Sequence, residues 1–100
     1  MVKHVILWKL KDELTVSSKD EAIAKIKHDL EALVGNIPGL LSLNIIRADL
    51  ESSNADIMLD STLESEEALK GYQVHPMHVE AASFVRANTE LRLCADYTVQ

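Results

Sequence analysis

Residues 63–85, LESEEALKGYQVHPMHVEAASFV, read as two consecutive helices that meet at a proline. Ser65 is a typical helix-capping residue, and Glu66 and Glu67 place negative charge in the first turn, where the helix dipole favours it. Pro76 suits the first position of a second helix, because its missing amide hydrogen would have no partner there. The sequence therefore predicts a broken helix in this part of the chain.

Strands are predicted on both sides of the broken helix. Each is indicated by apolar and polar residues that alternate with the period of two expected of a strand with one buried face. Their predicted bounds are approximately Val2–Leu10, Leu41–Ala48, Asp56–Leu63 and Glu90–Thr98.

Another helix is predicted between the first two strands. Ser17 or Ser18 is the expected cap, with Asp20 and Glu21 near the positive helix end, and apolar residues then recur at spacings of three and four. The pattern stops at Gly35 and Asn36. The turn IPGL, residues 37–40, precedes the second strand because proline fixes one dihedral and glycine accepts a positive one.

The resulting order is strand, helix, strand, strand, broken helix, strand. This order indicates an α+β protein with the ferredoxin-like split βαβ arrangement, in which helices cover one face of a four-stranded antiparallel sheet. One hundred residues suffice for one domain with a thin core, so residues 1–100 are expected to form a single domain.

The two faces of this sheet are predicted to differ. The face toward the helices is expected to hold His4, Ile6, Trp8, Leu43, Ile45, Ile57, Leu59 and Leu93. The opposite face is expected to hold Val5, Leu7, Ile46 and Met58 among Asn44, Asp60, Thr62, Arg92 and Cys94. Such a mixed but apolar face is unfavourable in water, so a second copy across a twofold axis is expected to cover it.

Charge and composition restrict the other partners. The net charge of −6, with scattered Lys and Arg residues, argues against nucleic acid binding. The apolar run of residues 5–8 is too short for a signal peptide or a membrane span. A single cysteine, Cys94, excludes an internal disulfide and fits the reducing cytoplasm, and its place in a strand favours a buried, unreactive thiol.

Four segments together resemble the stress-responsive A/B barrel, or Dabb, domain family. They are MVKHVILWKLKD at the start, the IPGL turn, the broken-helix segment and the closing CADYTV. The most specific part is the Y-x-x-H-P-x-H run at residues 72–78. The resemblance implies a dimeric α/β barrel, which is a homodimer whose sheets face each other, with a small organic ligand held between sheet and helices.

The family includes a plant polyketide cyclase, and the resemblance assigns roles by position. The catalytic tyrosine and histidine of that cyclase correspond to Tyr72 and His78, and its strand-one pocket histidine corresponds to His4. Ile57 stands where the cyclase has a further pocket histidine. This departure predicts a different substrate pocket.

The residue types themselves permit such chemistry. Imidazole has a pKa near working pH and suits a general base, while a phenol beside it can hydrogen-bond an enolate oxygen. Tyr72 and His78 are thus the candidate catalytic pair for a cofactor-independent aldol-type or monooxygenase-like reaction. His4, Trp8 and His75 are the candidate ligand contacts.

Structural roles are the alternative for the same residues. Tyr72 would pack its ring, His75 would cap the second helix of the pair, and His78 would bond Glu80, Asp96 or a buried carbonyl. A ligand-binding protein without chemistry of its own is then expected.

The sequence shows no cofactor motif and no complete metal ligand set. His75 and His78 can share one ion at a spacing of three, but no further ligands at suitable spacing complete a zinc site. We therefore expect no bound metal ion and no cofactor.

Overall fold

The computed structural model of the protein describes residues 1–99. The elements in chain order are β1 Val2–Leu10, α1 Val16–Glu31, β2 Leu40–Arg47, β3 Ile57–Leu63, α2 Glu66–Val74, α3 Pro76–Asn88 and β4 Thr89–Thr98. Within these residues, no helix has the length and apolar character that are needed to cross a membrane.

The four strands form one antiparallel sheet in the order β2-β3-β1-β4. The two central strands are β1 and β3, and their helix-facing residues carry much of the core. Ile57, Leu59 and Leu63 of β3 and Leu10 of β1 are almost fully buried. The predicted ferredoxin-like α+β arrangement is confirmed.

The start of α1 differs from the prediction. Thr15 is the cap, because its backbone is extended and its hydroxyl accepts a hydrogen bond from the Ser18 amide at 3.1 Å. The expected cap at Ser17 or Ser18 was wrong, since both residues already lie in the first turn. The helix ends at Glu31, earlier than expected, and tight turns lead from there to Gly35.

Strand β2 contains an irregularity that changes its buried face. The pairing register with β3 shifts between Leu40 and Ser42. Leu40 is therefore buried, whereas Leu41, the first residue of the predicted strand, is 46% exposed. A strict alternation cannot anticipate such a shift, because one extra residue in one strand reverses the faces on one side of it.

The face assignment of β4 was wrong. Residues paired directly across an antiparallel ladder lie on the same face, and Leu93 pairs with Leu7 while Cys94 pairs with Ile6. Leu93 therefore lies on the face away from the helices. Arg92 and Cys94, which were expected on that outer face, lie on the helix side instead, and Asp96 shares their side.

The outer face of the sheet is consequently more apolar than predicted. Its large apolar side chains are between 37% and 57% exposed in the single chain. They come from strands β1, β2 and β4 and are Leu7, Ile46, Leu91, Leu93 and Tyr97.

The turn before β2 fixes the start of α2. Gly39 has a φ of +81°, and a Cβ added to it would lie 2.6 Å from the Cβ of Ala68 in the first turns of α2. The Glu64 amide also donates a hydrogen bond of 2.9 Å to the Gly39 carbonyl. Only glycine satisfies both the positive φ and the close approach.

Replacing Gly39 with alanine should therefore destabilise the protein through two effects. Gly35 is the matched control, because its φ is +89° but nothing lies within 4 Å of an added Cβ. Gly35→Ala should cost about 1–2 kcal/mol from the positive φ alone, and Gly39→Ala at least about 1 kcal/mol more from overpacking. Urea unfolding measures both. Equal losses would contradict the proposed contact with Ala68.

Candidate active site between the sheet and the broken helix

The break between α2 and α3 is a single residue, His75. Its backbone is extended, as expected before a proline, which disfavours the helical conformation of the residue preceding it. The His75 amide donates to the Tyr72 carbonyl at 3.2 Å, and its Nδ1 accepts a hydrogen bond of 3.2 Å from the Met77 amide. His75 thus ends one helix and caps the next.

His78 lies in the first turn of α3, as predicted. Its Nδ1 is 3.1 Å from the carbonyl oxygen of Gln73 in the last turn of α2. Because a carbonyl oxygen only accepts, Nδ1 carries the proton, and Nε2 of the neutral ring keeps its lone pair. The hydrogen bond also satisfies a carbonyl that α2 leaves unpaired at its end.

Tyr72 and His78 lie side by side across this break. Their ring centroids are 4.3 Å apart with an interplanar angle of 44°. Tyr72 is fully buried, yet its hydroxyl has no hydrogen-bond partner among residues 1–99. The phenol and the imidazole that the family resemblance singled out therefore lie next to each other, and their role in catalysis stays a prediction.

Burial acts on the ionisation of both rings. It raises the pKa of Tyr72 well above its usual value, although the positive charge of Arg92 opposes this. It lowers the pKa of His78, and His4, Arg86 and Arg92 lower it further, while the bond to the Gln73 carbonyl acts in the other direction. At neutral pH, Tyr72 is a neutral donor and His78 a neutral base.

A cavity of about 530 Å³ lies between the sheet and α3. This volume is within the usual range for small-molecule sites. Tyr72 and His78 both line it, as does the predicted ligand contact Trp8. The remaining lining residues are Ile6, Leu30, Leu59, Ala82, Val85, Arg86, Thr89, Glu90, Leu91 and Arg92.

Met77 and Phe84 of α3 do not line this cavity. Met77 and Phe84 line a separate depression between α1 and α3, and Phe84 packs there under the ammonium group of Lys25. His75 is also outside the cavity lining. Its role as a ligand contact stays a prediction, whereas its capping role is observed.

His4 lies behind Tyr72 and contacts it edge-on, with ring centroids 6.1 Å apart. It is only 2% exposed, and its Nδ1 is paired with the carboxylate of Asp96. It does not line the cavity wall itself. Its contribution to ligand binding stays a prediction, and the observed contact places it as a support for the Tyr72 ring.

The Cys94 thiol lies beside this pair. Its sulfur is 3.8 Å from His4 Nδ1 and 3.5 Å from an Asp96 carboxylate oxygen. The thiol of Cys94 and the carboxylate of Asp96 both contact Nδ1 of His4. In the relay that activates a cysteine nucleophile, the thiol and the carboxylate bond different ring nitrogens, so this arrangement is not such a relay. Burial and Asp96 raise the pKa of the thiol.

The expectation of a buried Cys94 was wrong, because the helices leave β4 largely uncovered and the thiol is exposed. Its donor atom and those of His4 and Asp96 lie within 4.8 Å of one another. An imidazole, a thiol and a carboxylate are ligands that an open zinc site can use. The sequence had indicated a different pair of possible metal ligands, His75 and His78, which lie three residues apart.

Three charged residues of the cavity were missed from the sequence as site residues. Arg86 comes from α3, and Glu90 and Arg92 come from β4. Arg92 was missed because the apolar set of β4 had been assigned to the helix side. No local pattern in the sequence would have found it, because the side of Arg92 is fixed by its pairing with Trp8 across β1 and β4.

Comparisons with known proteins agree with this architecture. The sequence model described as Stress Responsive A/B Barrel Domain matches residues 2–99. Olivetolic acid cyclase of Cannabis sativa is 32% identical over 101 residues, which cover 97% of this chain and 95% of the cyclase.

Solved structures show the same fold over nearly the full length. A protein from Bacteroides fragilis, described as dimeric, of unknown function and of ferredoxin-like fold, has a TM-score of 0.92 and 30% identity, covering 98% of this chain and 95% of that chain. A protein from Arabidopsis thaliana has a TM-score of 0.80 and 27% identity, covering 100% and 96% respectively.

The unpaired Tyr72 hydroxyl gives a test of stability. Tyr72→Phe should leave the free energy of unfolding within about 1 kcal/mol of wild type or raise it, because no protein hydrogen bond is lost. Ser61 is the matched control: its buried hydroxyl donates to the His4 carbonyl at 2.8 Å, so Ser61→Ala should cost about 1 kcal/mol. Thermal and urea unfolding compare the two. A larger loss for Tyr72→Phe would show that its hydroxyl stabilises the fold.

Proposed function

The chain belongs to the stress-responsive A/B barrel domain family, and we propose that it is a single-domain homodimer that binds a small oxygenated organic molecule in the cavity beside Tyr72. The observation that carries this proposal is the Tyr72 hydroxyl, which is buried at the cavity without a partner within residues 1–99. A buried unpaired hydroxyl costs about 1–3 kcal/mol. An oxygen atom of a ligand would supply the missing hydrogen bond.

The shape and lining of the cavity support a small organic ligand. Ile6, Trp8 and Leu59 on the sheet side and Leu30 and Val85 on the helices form apolar walls. Small-molecule sites typically combine such walls with a few polar groups that orient the ligand. Tyr72 and His78, which both line the cavity, are the residues that we propose supply these polar groups.

The outer face of the sheet supports the homodimer. Leu7 and Leu93 pair across β1 and β4 in the middle of an exposed apolar surface. Exposed apolar patches of this kind mark interaction sites, and the B. fragilis relative is described as dimeric. A second copy that meets this face with its own would bury both patches and leave the cavity, on the other side of the sheet, accessible.

A cytoplasmic location is part of the same proposal. Cys94 is an exposed free thiol, and such thiols persist best in a reducing compartment.

Catalysis is a second candidate function, favoured by the neutral His78 beside the Tyr72 phenol. His78 Nε2 would remove a proton from a carbon next to a carbonyl, and the electron pair would move onto the carbonyl oxygen, where Tyr72 donates a hydrogen bond. The enolate carbon would then attack a second carbonyl, forming a carbon–carbon bond. The proton taken by His78 would return to the new alkoxide, so no cofactor is needed.

Two observations bear on which reaction is proposed. We favour an aldol-type closure over a monooxygenase-like reaction, because both side chains act through proton transfer and hydrogen bonding. Ile57, which is fully buried opposite Trp8, occupies the position of the further pocket histidine of the plant cyclase. This chain therefore has no imidazole at that position. We therefore expect the substrate of this chain to differ from that of the cyclase relative.

Ligand binding can be tested by nuclear magnetic resonance of the His78 ring with ethyl acetoacetate and phenol as probes. We expect saturable shifts of the His78 signals, and a roughly 2- to 10-fold weaker binding by Tyr72→Phe, as expected for the loss of one hydrogen bond. His28, which is exposed and distant in α1, is the control signal and should not move. Absence of any shift with both probes would contradict the binding proposal.

The same samples in deuterated water separate binding from catalysis. If His78 is a base, the protein should accelerate deuterium exchange at the central carbon of ethyl acetoacetate above the buffer rate. His78→Gln should abolish this acceleration. Binding without acceleration would support a ligand-binding protein that performs no proton abstraction on this probe.

Dimerisation through the outer face predicts a specific variant effect. Sedimentation equilibrium should give twice the chain mass of 11.1 kDa for the wild type. Leu93→Asp should shift the protein toward the monomer, because it buries a charge in the interface. Leu50→Asp is the control, since Leu50 is 71% exposed in the connection after β2. A monomeric wild type at micromolar concentration would disprove the dimer.

A further inference from the structure

Two arginines line the cavity from different elements. Arg86 projects from α3, and Arg92 lies on the helix-facing side of β4, in the register position opposite Trp8. Neither forms an ion pair with a carboxylate within residues 1–99. Arg47, by contrast, is paired with Asp20 at 2.8 Å. The two arginines at the cavity are thus left with uncompensated positive charge.

The one carboxylate in the cavity lining, Glu90, is directed to another cation. Its Oε1 lies 3.4 Å from Lys9 Nζ, on the neighbouring strand. Glu90 therefore does not neutralise the arginines. The two arginines make the cavity a local region of positive charge. The chain as a whole, in contrast, carries a charge of −6.

The charges of these arginines act on the two rings at the helix break. Arg92 opposes the effect of burial on the pKa of Tyr72, and Arg86 and Arg92 both lower the pKa of His78. Because these arginines line the same cavity as Tyr72 and His78, an anionic group that they hold can belong to the same molecule that meets Tyr72.

We propose that Arg86 and Arg92 form an anion subsite of the cavity, and that the ligand is a small oxygenated organic acid, with a carboxylate at this subsite and a hydroxyl or carbonyl oxygen at Tyr72. This inference rests on the proposed ligand binding and specifies its chemical class. A planar guanidinium matches a carboxylate with two parallel hydrogen bonds, which a neutral amide or ester does not reproduce.

An isolated exposed arginine needs no ligand, since most are simply hydrated. The arrangement here differs in two respects. Both arginines line one partly apolar cavity, and Tyr72, whose buried hydroxyl is unpaired within residues 1–99, lines the same cavity. Two positive charges and a hydrogen-bond donor residue thus border the same cavity.

A pair of matched probes tests the inference. 3-Hydroxybenzoate and 3-hydroxybenzamide share their size and phenol, but only the first carries a charge. We expect the wild type to bind the benzoate about tenfold more tightly than the benzamide, as for a charge-assisted hydrogen bond. Titration calorimetry or the His78 signals give both dissociation constants.

Variants then assign the preference to the two arginines. Arg92→Gln and Arg86→Gln should each reduce the preference for the benzoate, and the double variant should bring the ratio of the two constants to about one, with benzamide binding unchanged. Arg47→Gln removes the same charge at a distant, paired site and should leave the ratio as in wild type. Raising sodium chloride should weaken only benzoate binding.

The outcomes separate this inference from the proposed function. If both probes bind equally, or if the double variant keeps the preference, the anion subsite is disproved while ligand binding stands. If neither probe nor the neutral probes of the preceding test bind, the proposed function fails and this inference fails with it. A preference that Arg47→Gln reduces as strongly would show a general charge effect and would also overturn the subsite.

Discussion

The single-residue break at His75 is the constraint on which the candidate site depends. Proline at position 76 keeps His75 out of the helical conformation, so α2 must end and α3 must start anew. The last turn of α2 then faces the first turn of α3. The Gln73 carbonyl fixes the His78 ring, and the ring of His78 lies beside that of Tyr72. Tyr72 and His78 are six positions apart in the chain. In a continuous helix, this spacing would place them on different faces.

The weak coverage of β4 is the second determinant. Helix α3 leads directly into β4 but does not pack along it, so the cavity opens between them and every residue of the strand retains some exposure. The two faces of the strand thereby acquire different environments. Arg92 borders the cavity on one face, while Leu93 extends the apolar outer surface on the other. In the proposed dimer, one strand thus contributes to both the ligand site and the interface.

Local sequence signals predicted much of this architecture. Alternation gave β1 with its observed bounds, and Ser65 and Pro76 gave the starts of α2 and α3. The resemblance to the family singled out Tyr72 and His78 as a pair. The errors concern features that depend on a neighbouring element. One is the shifted register at Leu40. The other is the orientation of β4, because alternation divides its residues into two faces without indicating which face is directed toward the helices.

The sequence by itself determined the order of elements, the helix break and the residue types available for acid–base chemistry, because these follow from short-range backbone preferences. Only the tertiary structure decided that the Tyr72 hydroxyl is buried without a partner within residues 1–99, that Glu90 forms an ion pair with Lys9, and that Arg86 and Arg92 border one cavity. These features depend on strand register and on how closely α3 approaches the sheet. Such long-range packing joins residues that are distant in the chain, and no local pattern records it.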